Sequence, residues 1–100
     1  MRTDMPEYTF PSGAKYTGQW LGNVRDGSGV QVWPDGARYE GQWVNDQKCG
    51  EGVLFAADGW RYEGQWLRNK QHGLGTSFAK GGRHEGKYAN GLRHGDGVYY

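Results

Sequence analysis

The sequence has little of what marks several common protein classes. It contains one cysteine, Cys49, in 100 residues, so an internal disulfide is excluded and a reducing compartment is expected. No apolar run approaches the about 20 residues of a membrane-spanning helix, and the first residues lack the apolar stretch of a secretory signal. Twelve basic and eleven acidic residues leave a formal charge of +1, which predicts no strong attraction to nucleic acid. These absences favour a cytoplasmic protein that does not bind nucleic acid.

Catalytic and metal-binding motifs are also missing. The chain has no Gly-x-Ser-x-Gly sequence, no phosphate-binding loop and no cluster of Cys and His residues at the spacing of a metal site. Helical periodicity is absent as well. The sequence therefore predicts a protein that is not an enzyme and that uses neither a metal nor another cofactor.

Glycine and aromatic residues are abundant. The chain has 19 glycines and is 15% aromatic, although only 35% of its residues are hydrophobic. Such a composition cannot supply a thick aliphatic core, but it can bury flat rings against bare glycine backbone. The aromatic content also argues against disorder.

A pentapeptide recurs along the chain at nearly constant spacing. YEGQW occurs at residues 39–43 and 62–66, and it is flanked by YTGQW at residues 16–20 and HEGKY at residues 84–88. The successive copies start 23, 23 and 22 residues apart. A fixed period over most of a chain indicates stacked structural units and not one three-dimensional core.

Each unit is predicted to be a β-hairpin. Tyr39, Gly41 and Trp43 alternate with polar residues, so a strand places all three on one face. A residue type that tolerates the left-handed conformation follows three positions after the last aromatic residue and predicts a turn: Asn23, Asp46, Asn69 and Gly91. A Gly-x-Gly step then opens a second strand, which ends at a glycine-containing turn. The expected fold is all-β: a single-layer, twisted antiparallel sheet of stacked hairpins, elongated to roughly 40 Å over about nine strands.

One repeat array is expected to span the whole sequence. Residues 1–100 are predicted to form a single domain with a half unit at 7–15 and repeats at 16–38, 39–61, 62–83 and 84–100. The half unit follows from FPSGAK at residues 10–15, which matches WPDGAR 23 residues later.

These residues resemble the MORN repeat family, whose pattern is close to YxGxW…GxG…DG over about 23 residues. The resemblance implies an elongated strip of hairpins with an aromatic groove and a non-catalytic role. Scaffolding, dimerisation, binding of a partner segment and attachment near membranes or the cytoskeleton are the roles it implies. The last repeat departs from the pattern, because His84 replaces the tyrosine and Tyr88 replaces the tryptophan.

The aromatic columns are the predicted partner-binding groove. We expect a helix or an extended peptide of a partner protein to lay apolar side chains into it. The competing interpretation is that most of the ring area packs internally against neighbouring hairpins, and the two interpretations are compatible. The predicted groove residues are Tyr16, Trp20, Tyr39, Trp43, Tyr62, Trp66, Phe55 and Phe78. Self-association of the free end strands, giving a homodimer, is a further expectation.

Binding to phosphoinositides or other anionic lipids is the alternative function. The candidate lipid-contact residues cluster at one end of the hairpins: Arg25, Lys48, Arg68, Lys70, Lys87 and Arg93. Four acidic residues lie nearby and reduce the excess to two positive charges, which predicts only weak adhesion at about 1 kcal/mol per basic residue. A third possibility is capture of a small quaternary ammonium ligand between repeats, but the pentapeptide matches choline-binding wall repeats poorly.

Overall fold

The computed structural model describes residues 2–79, 81–89 and 92–99, and for residues 92–99 it describes the backbone only. All elements of this described part are strands: β1 (Thr3–Thr9), β2 (Lys15–Leu21), β3 (Val24–Val32), β4 (Arg38–Val44), β5 (Gln47–Phe55), β6 (Arg61–Leu67), β7 (Lys70–Ala79), β8 (Gly82–Ala89) and β9 (Leu92–Tyr99). They form one antiparallel sheet in chain order, so each strand pairs only with its sequence neighbours. The sheet measures 40 Å in its longest direction, and the predicted all-β, elongated fold is confirmed.

Two-residue turns join the two strands of each of the first three repeats. Asn45 and Asp46 both have positive φ, at 50° and 73°, and Arg68 and Asn69 repeat this with 51° and 69°. Positive φ at both central positions is the pattern of a type I′ turn, whose twist matches that of the flanking strands. The left-handed conformation predicted at the third position is therefore confirmed for Asp46 and Asn69. It is wrong for the first repeat, where Gly22 carries the positive φ of 61°, and Gly91 lies outside the described residues.

Longer, glycine-containing turns join one repeat to the next. In the first of these between full repeats, the Trp33 N–H donates to the carbonyl of Ala37 at 2.9 Å, and the Gly36 N–H donates to the carbonyl of Trp33 at 3.0 Å. Gly36 has φ of 95°, a conformation that glycine adopts without steric cost. The same pair of hydrogen bonds recurs around Gly13 and Gly59.

A bulge interrupts every hairpin between the glycine and the last aromatic residue of the pentapeptide. Gly41 pairs with Gly52 but Trp43 pairs with Lys48, so Gln42 faces three residues of β5. The Gln42 Oε1 accepts the Glu51 N–H at 2.9 Å and satisfies a donor that the bulge would otherwise orphan. Gln19 and Gln65 make the equivalent bonds at 2.9 and 2.8 Å.

The register separates two chemically different faces, because directly paired residues share a face. Tyr39 pairs with Gln31 and Leu54 on one face, which we call the aromatic face, whereas Arg38 pairs with Phe55 on the other, the charged face. The core lies entirely on the aromatic face and consists of Tyr16, Tyr39, Trp43, Tyr62, Trp66 and Tyr88. One layer of sheet therefore supports one layer of rings.

The first strand is longer and less regular than the half unit expected from residue 7. It begins at Thr3, and its pairing with β2 shifts between Met5 and Tyr8. Pro6 lies inside this irregular stretch and has no N–H to offer to another strand. The division of the chain into one domain with the predicted repeat boundaries stays a prediction.

Candidate functional site

A continuous ladder of edge-to-face rings runs along the aromatic face. Tyr39 contacts Trp43 of its own repeat at 5.2 Å between ring centroids and Trp66 of the next repeat at 5.4 Å, with interplanar angles of 85° and 86°. This geometry suits the quadrupoles of aromatic rings. The ladder, in spatial order, is Trp20, Tyr16, Trp43, Tyr39, Trp66, Tyr62, Tyr88 and His84. Tyr16, Tyr39 and Tyr62 therefore each link their own repeat to the next one.

The tyrosines of the ring ladder lie over glycine backbone. A Cβ added at Gly52 would lie 2.5 Å from Cζ and 2.6 Å from Cε1 of Tyr39, distances that real contacts do not reach. The Tyr39 hydroxyl donates to the carbonyl of Gln42 at 2.9 Å, and the Trp66 indole donates to the carbonyl of Gly52 at 3.1 Å. The second glycine of Gly-x-Gly is thus required by the tyrosine that covers it, and the prediction of a ring over bare backbone is confirmed.

Burial has a direct effect on these phenols. It raises the pKa of Tyr16 and of Tyr62 to about 12 and raises the pKa of Tyr39 further, because the phenolate would lose its hydration. The last repeat uses another arrangement: the Tyr88 hydroxyl lies 2.6 Å from Ser77 Oγ and 3.0 Å from His84 Nδ1. The tyrosine hydroxyls of the ladder are therefore hydrogen-bonded inside the sheet.

Five residues of the predicted groove are almost completely buried by this packing. Tyr16, Tyr39 and Tyr62 are 0% exposed, and Trp43 and Trp66 are 2% and 5% exposed. The interpretation of internal packing is therefore confirmed for these rings, which cannot present much surface to a partner. Trp20, in the first repeat, stays partly exposed.

The structure does not bring Phe55 and Phe78 to the ring ladder. Both lie on the charged face, where the guanidinium of Arg38 is 4.8 Å from the Phe55 ring centroid and that of Arg61 is 4.1 Å from the Phe78 ring centroid. The cause is strand alternation: Phe55 is the neighbour of Leu54, and Leu54 is the residue that faces the rings. A ladder of Arg–Glu pairs also lies on this face, with N–O distances of 2.5 Å, 3.8 Å and 3.4 Å in successive repeats.

A second set of apolar side chains on the aromatic face escaped the sequence analysis. Phe10, Trp33, Leu54 and Trp60 are partly exposed and pack against the ring ladder; we call these four residues the rim. The sequence analysis assigned neither Trp33 nor Trp60 to the groove or to a face of the sheet. The equivalence of Phe10 and Trp33, 23 residues apart beside matching turns, was the signal that would have identified them.

Arg25 lies over the rings and forms an ion pair with an aspartate of the next repeat. Its guanidinium is 4.5 Å from the Trp43 ring centroid and 5.0 Å from that of Phe10. Arg25 Nε donates to Asp46 Oδ1 at 2.6 Å, and its backbone N–H donates to the same oxygen at 3.0 Å. Burial alone raises the pKa of Asp46, but the hydrogen bonds from Arg25 outweigh it and lower that pKa.

Lys48 occupies the equivalent position in the following repeat, inside a cage of three rings. Its Nζ is 5.3 Å from the centroid of Trp33, 5.6 Å from Tyr39 and 5.5 Å from Trp66. Its backbone N–H donates to Asn69 Oδ1 at 2.7 Å. Burial, together with the charge of Arg25, lowers the pKa of the Lys48 ammonium.

The candidate lipid-contact residues fall into two groups that differ in exposure. Arg25 and Lys48 turn inward over the rings, whereas Arg68, Lys70 and Lys87 are exposed. The side chain of Arg93 lies outside the described part of the structure. Three described cations therefore remain available to an anionic surface.

A cleft of about 630 Å³ opens where the ring ladder begins, lined by Met5, Tyr8 and Trp20 among others. Trp43 and Trp66 donate their indole N–H to a carbonyl of the preceding strand, but the buried Nε1 of Trp20 has no hydrogen-bond partner among the described residues. In those two repeats the acceptor lies 14 residues before the tryptophan, and for Trp20 that position is Pro6, inside the register shift between Met5 and Tyr8. The first repeat therefore lacks the indole hydrogen bond that the second and third repeats form.

The described residues contain no group of three or more His, Cys, Asp or Glu side chains arranged to hold a metal ion. Nor do they include a helix long and apolar enough to cross a membrane. The described site consists of aromatic rings, hydrogen bonds and a few partly buried charges.

Comparison with known proteins gives one positive result. The family model for the MORN repeat matches residues 16–38, 39–61, 62–83 and 84–100. No curated protein matches the chain.

Proposed function

Because this chain belongs to the MORN repeat family, we propose that it is a scaffold whose aromatic face binds a segment of a partner protein. MORN repeats form a non-enzymatic family of repeat-based adaptors and scaffolds that are often associated with membranes. The partner segment, a helix or an extended peptide, lies along the rim and contacts Phe10, Trp33, Leu54 and Trp60.

The observation that carries this proposal is the partial exposure of the rim on a face that no other described element covers. All described strands belong to one sheet, and within the described residues no other element packs across the aromatic face. Large rings that stay partly exposed in a row are typical of a surface that is completed by a partner.

The ring ladder gives this surface its rigidity. Tyr39 and its counterparts are fixed by two ring contacts and a hydrogen bond each, so the surface beneath the rim does not have to order when a partner binds. A preorganised surface loses less conformational entropy on association and binds more tightly for the same contact area. The buried rings thus support binding without touching the partner.

Selection from a random peptide display library tests the proposal. Peptides enriched on the wild-type protein are expected to bind at least about tenfold more weakly to Trp60→Ala, because truncating a partly buried aromatic anchor typically costs more than 1 kcal/mol. The matched control is Phe55→Ala, which removes a ring from the charged face and is expected to leave the affinity unchanged. Circular dichroism and urea unfolding establish that both variants are folded.

The outcome that contradicts the proposal is equally concrete. If the enriched peptides bind Trp60→Ala as well as wild type, or if Phe55→Ala weakens them more, the aromatic face is not the binding surface.

Adhesion to anionic lipid is the second candidate function, supported by the exposure of Arg68, Lys70 and Lys87 at the hairpin ends. Cosedimentation with phosphatidylserine vesicles across a salt series tests it. Binding that falls steeply with salt and that is lost in the triple glutamine variant of these residues supports a membrane role. Binding equal to that of neutral vesicles refutes it.

Self-association through the end strands stays a prediction, with β1 and β9 as the free edges. Pro6 and the irregular pairing of β1 are features that discourage another strand from adding to this edge. A β1–β1 dimer is therefore disfavoured, and sedimentation velocity over a range of concentrations measures whether any dimer forms.

A further inference from the structure

Lys48 has an uncharged carboxamide where its counterpart Arg25 has a carboxylate. The two residues hold equivalent positions, and the turn of the following repeat supplies Asp46 to Arg25 but Asn69 to Lys48. The Asn69 carboxamide accepts the backbone N–H of Lys48 and carries no charge. Among the described residues, no carboxylate lies within ion-pair distance of the Lys48 ammonium, whereas Asp46 is 2.6 Å from Arg25.

The surroundings of this ammonium favour an added negative charge. Three ring faces lie 5.3 to 5.6 Å away and reduce its contact with water, and Lys48 is still partly exposed on the aromatic face. A partly desolvated cation interacts more strongly with an anion than an exposed one does. The carboxylates of the charged-face ladder, such as Glu40, point away from it.

We propose that Lys48 is the docking point for a carboxylate of the bound partner, so that the partner is an acidic, apolar protein segment. This inference rests on the proposed function and specifies its partner class. The segment places an Asp or Glu side chain over the Trp33, Tyr39 and Trp66 cage and apolar side chains along the rim. A side-chain carboxylate fits better than a phosphate group, because the single positive charge of the Lys48 ammonium matches one negative charge.

The chain itself supplies conservative variants for the test. Lys48→Gln places glutamine where Gln71 stands in the next repeat. Asn69→Asp copies Asp46, which adopts φ of 73° against 69° for Asn69, so an aspartate is accommodated there and still accepts the Lys48 N–H. It gives the ammonium an internal carboxylate. Both changes leave the rim intact.

The experiment uses peptides selected on the wild-type protein from a random display library, each synthesised also with its acidic residues replaced by glutamine or asparagine. On wild type the replacement is expected to weaken binding at least about tenfold. On Lys48→Gln and Asn69→Asp it is expected to change binding less than about twofold, because the cation is absent or already neutralised. Asp46→Asn, which leaves Arg25 without its carboxylate, is expected to increase the preference for acidic peptides.

The results separate this inference from the function on which it rests. Peptides that need Trp60 but show no acidic preference, or whose preference survives in Lys48→Gln, overturn the role of Lys48 and leave the proposed function standing. If no selected peptide depends on Trp60, both are overturned. Binding to phosphatidylserine vesicles that Lys48→Gln abolishes would assign the site to a lipid surface and also overturn the inference.

Discussion

Substitution of Gly52 by alanine tests the packing on which the whole array depends. Gly52 is buried beneath the ring of Tyr39, and the three atoms nearest to an added Cβ all belong to that ring or its hydroxyl. The backbone of Gly52 is not in the left-handed region, so alanine is allowed by its conformation. The obstacle is the ring, which is 0% exposed.

The expected loss of stability follows from the contacts that Tyr39 would lose. Overpacking of a filled core typically costs about 1–3 kcal/mol. Displacing the ring weakens its contacts with Trp43 and Trp66, each about 0.5–1.5 kcal/mol, and its hydrogen bond to Gln42, about 1 kcal/mol. We expect Gly52→Ala to lower the free energy of unfolding by about 3–5 kcal/mol, a large part of the about 5–15 kcal/mol of a typical domain.

Urea unfolding followed by tryptophan fluorescence and circular dichroism measures this loss. A double-mutant cycle with Tyr39→Leu isolates the steric contact: in that background Gly52→Ala is expected to cost less than about 1 kcal/mol. Gly59→Ala is the backbone control, since its Cβ would meet nothing within 4 Å and only the positive φ of 95° opposes it, at about 1–2 kcal/mol. Equal costs of Gly52→Ala with and without the tyrosine would refute the argument.

The remaining predictions concern pH and the bulge. The folded protein holds the pKa of Asp46 below its ordinary value, so this carboxylate adds stability above about pH 4 that is lost as the pH falls through the folded pKa. Asp46→Asn is therefore expected to reduce the fall of the urea midpoint on the acid side of a plot against pH. An acid side that is the same in the variant and the wild type contradicts this. The pKa of Tyr62 is raised to about 12, so the unfolded chain loses its phenolic proton first. This residue therefore lowers the free energy of unfolding by about 1.4 kcal/mol per pH unit above about pH 10. Tyr62→Phe is expected to make this fall of stability with rising pH less steep, and an unchanged slope would disprove it. Gln42→Leu leaves a backbone N–H of the bulge without an acceptor and is expected to cost about 1–3 kcal/mol in urea unfolding, whereas Gln47→Leu, exposed in the strand beyond the turn, is the control that should shift the midpoint little.

The sequence left open how much of each ring a partner could reach, because periodicity gives the direction of a side chain but not its depth. Tyr39 and Trp43 alternate with polar residues, which shows that they share a face. Their complete burial depends on Trp66 and on the glycines of the neighbouring strand, and these contacts exist only once the hairpins stack. The same limit applies to Lys48, whose position near a turn predicted exposure although its side chain folds back over the rings.

Strand register produced the other differences. Phe55 and Leu54 are both apolar neighbours in one strand, and composition alone does not say which of them faces the rings. The pairing of Leu54 with Tyr39 decides it, because a shift of one residue would exchange the two faces. Trp33 and Trp60 escaped notice for a related reason: a residue beside a turn has no strand alternation to assign it to a face.

The sequence by itself determined the all-β class, because a 23-residue period with paired glycines leaves few arrangements other than stacked hairpins. Its repeated pentapeptide and Gly-x-Gly steps also carried the resemblance to the MORN repeat family. It also determined the turn at Asp46 and Asn69, since few residue types adopt the left-handed conformation. Only the tertiary structure decided which rings are buried, which form the rim, and that Asp46 pairs with Arg25 whereas no carboxylate of the described residues pairs with Lys48. Those properties come from contacts between repeats, where each hairpin completes the environment of the one before it.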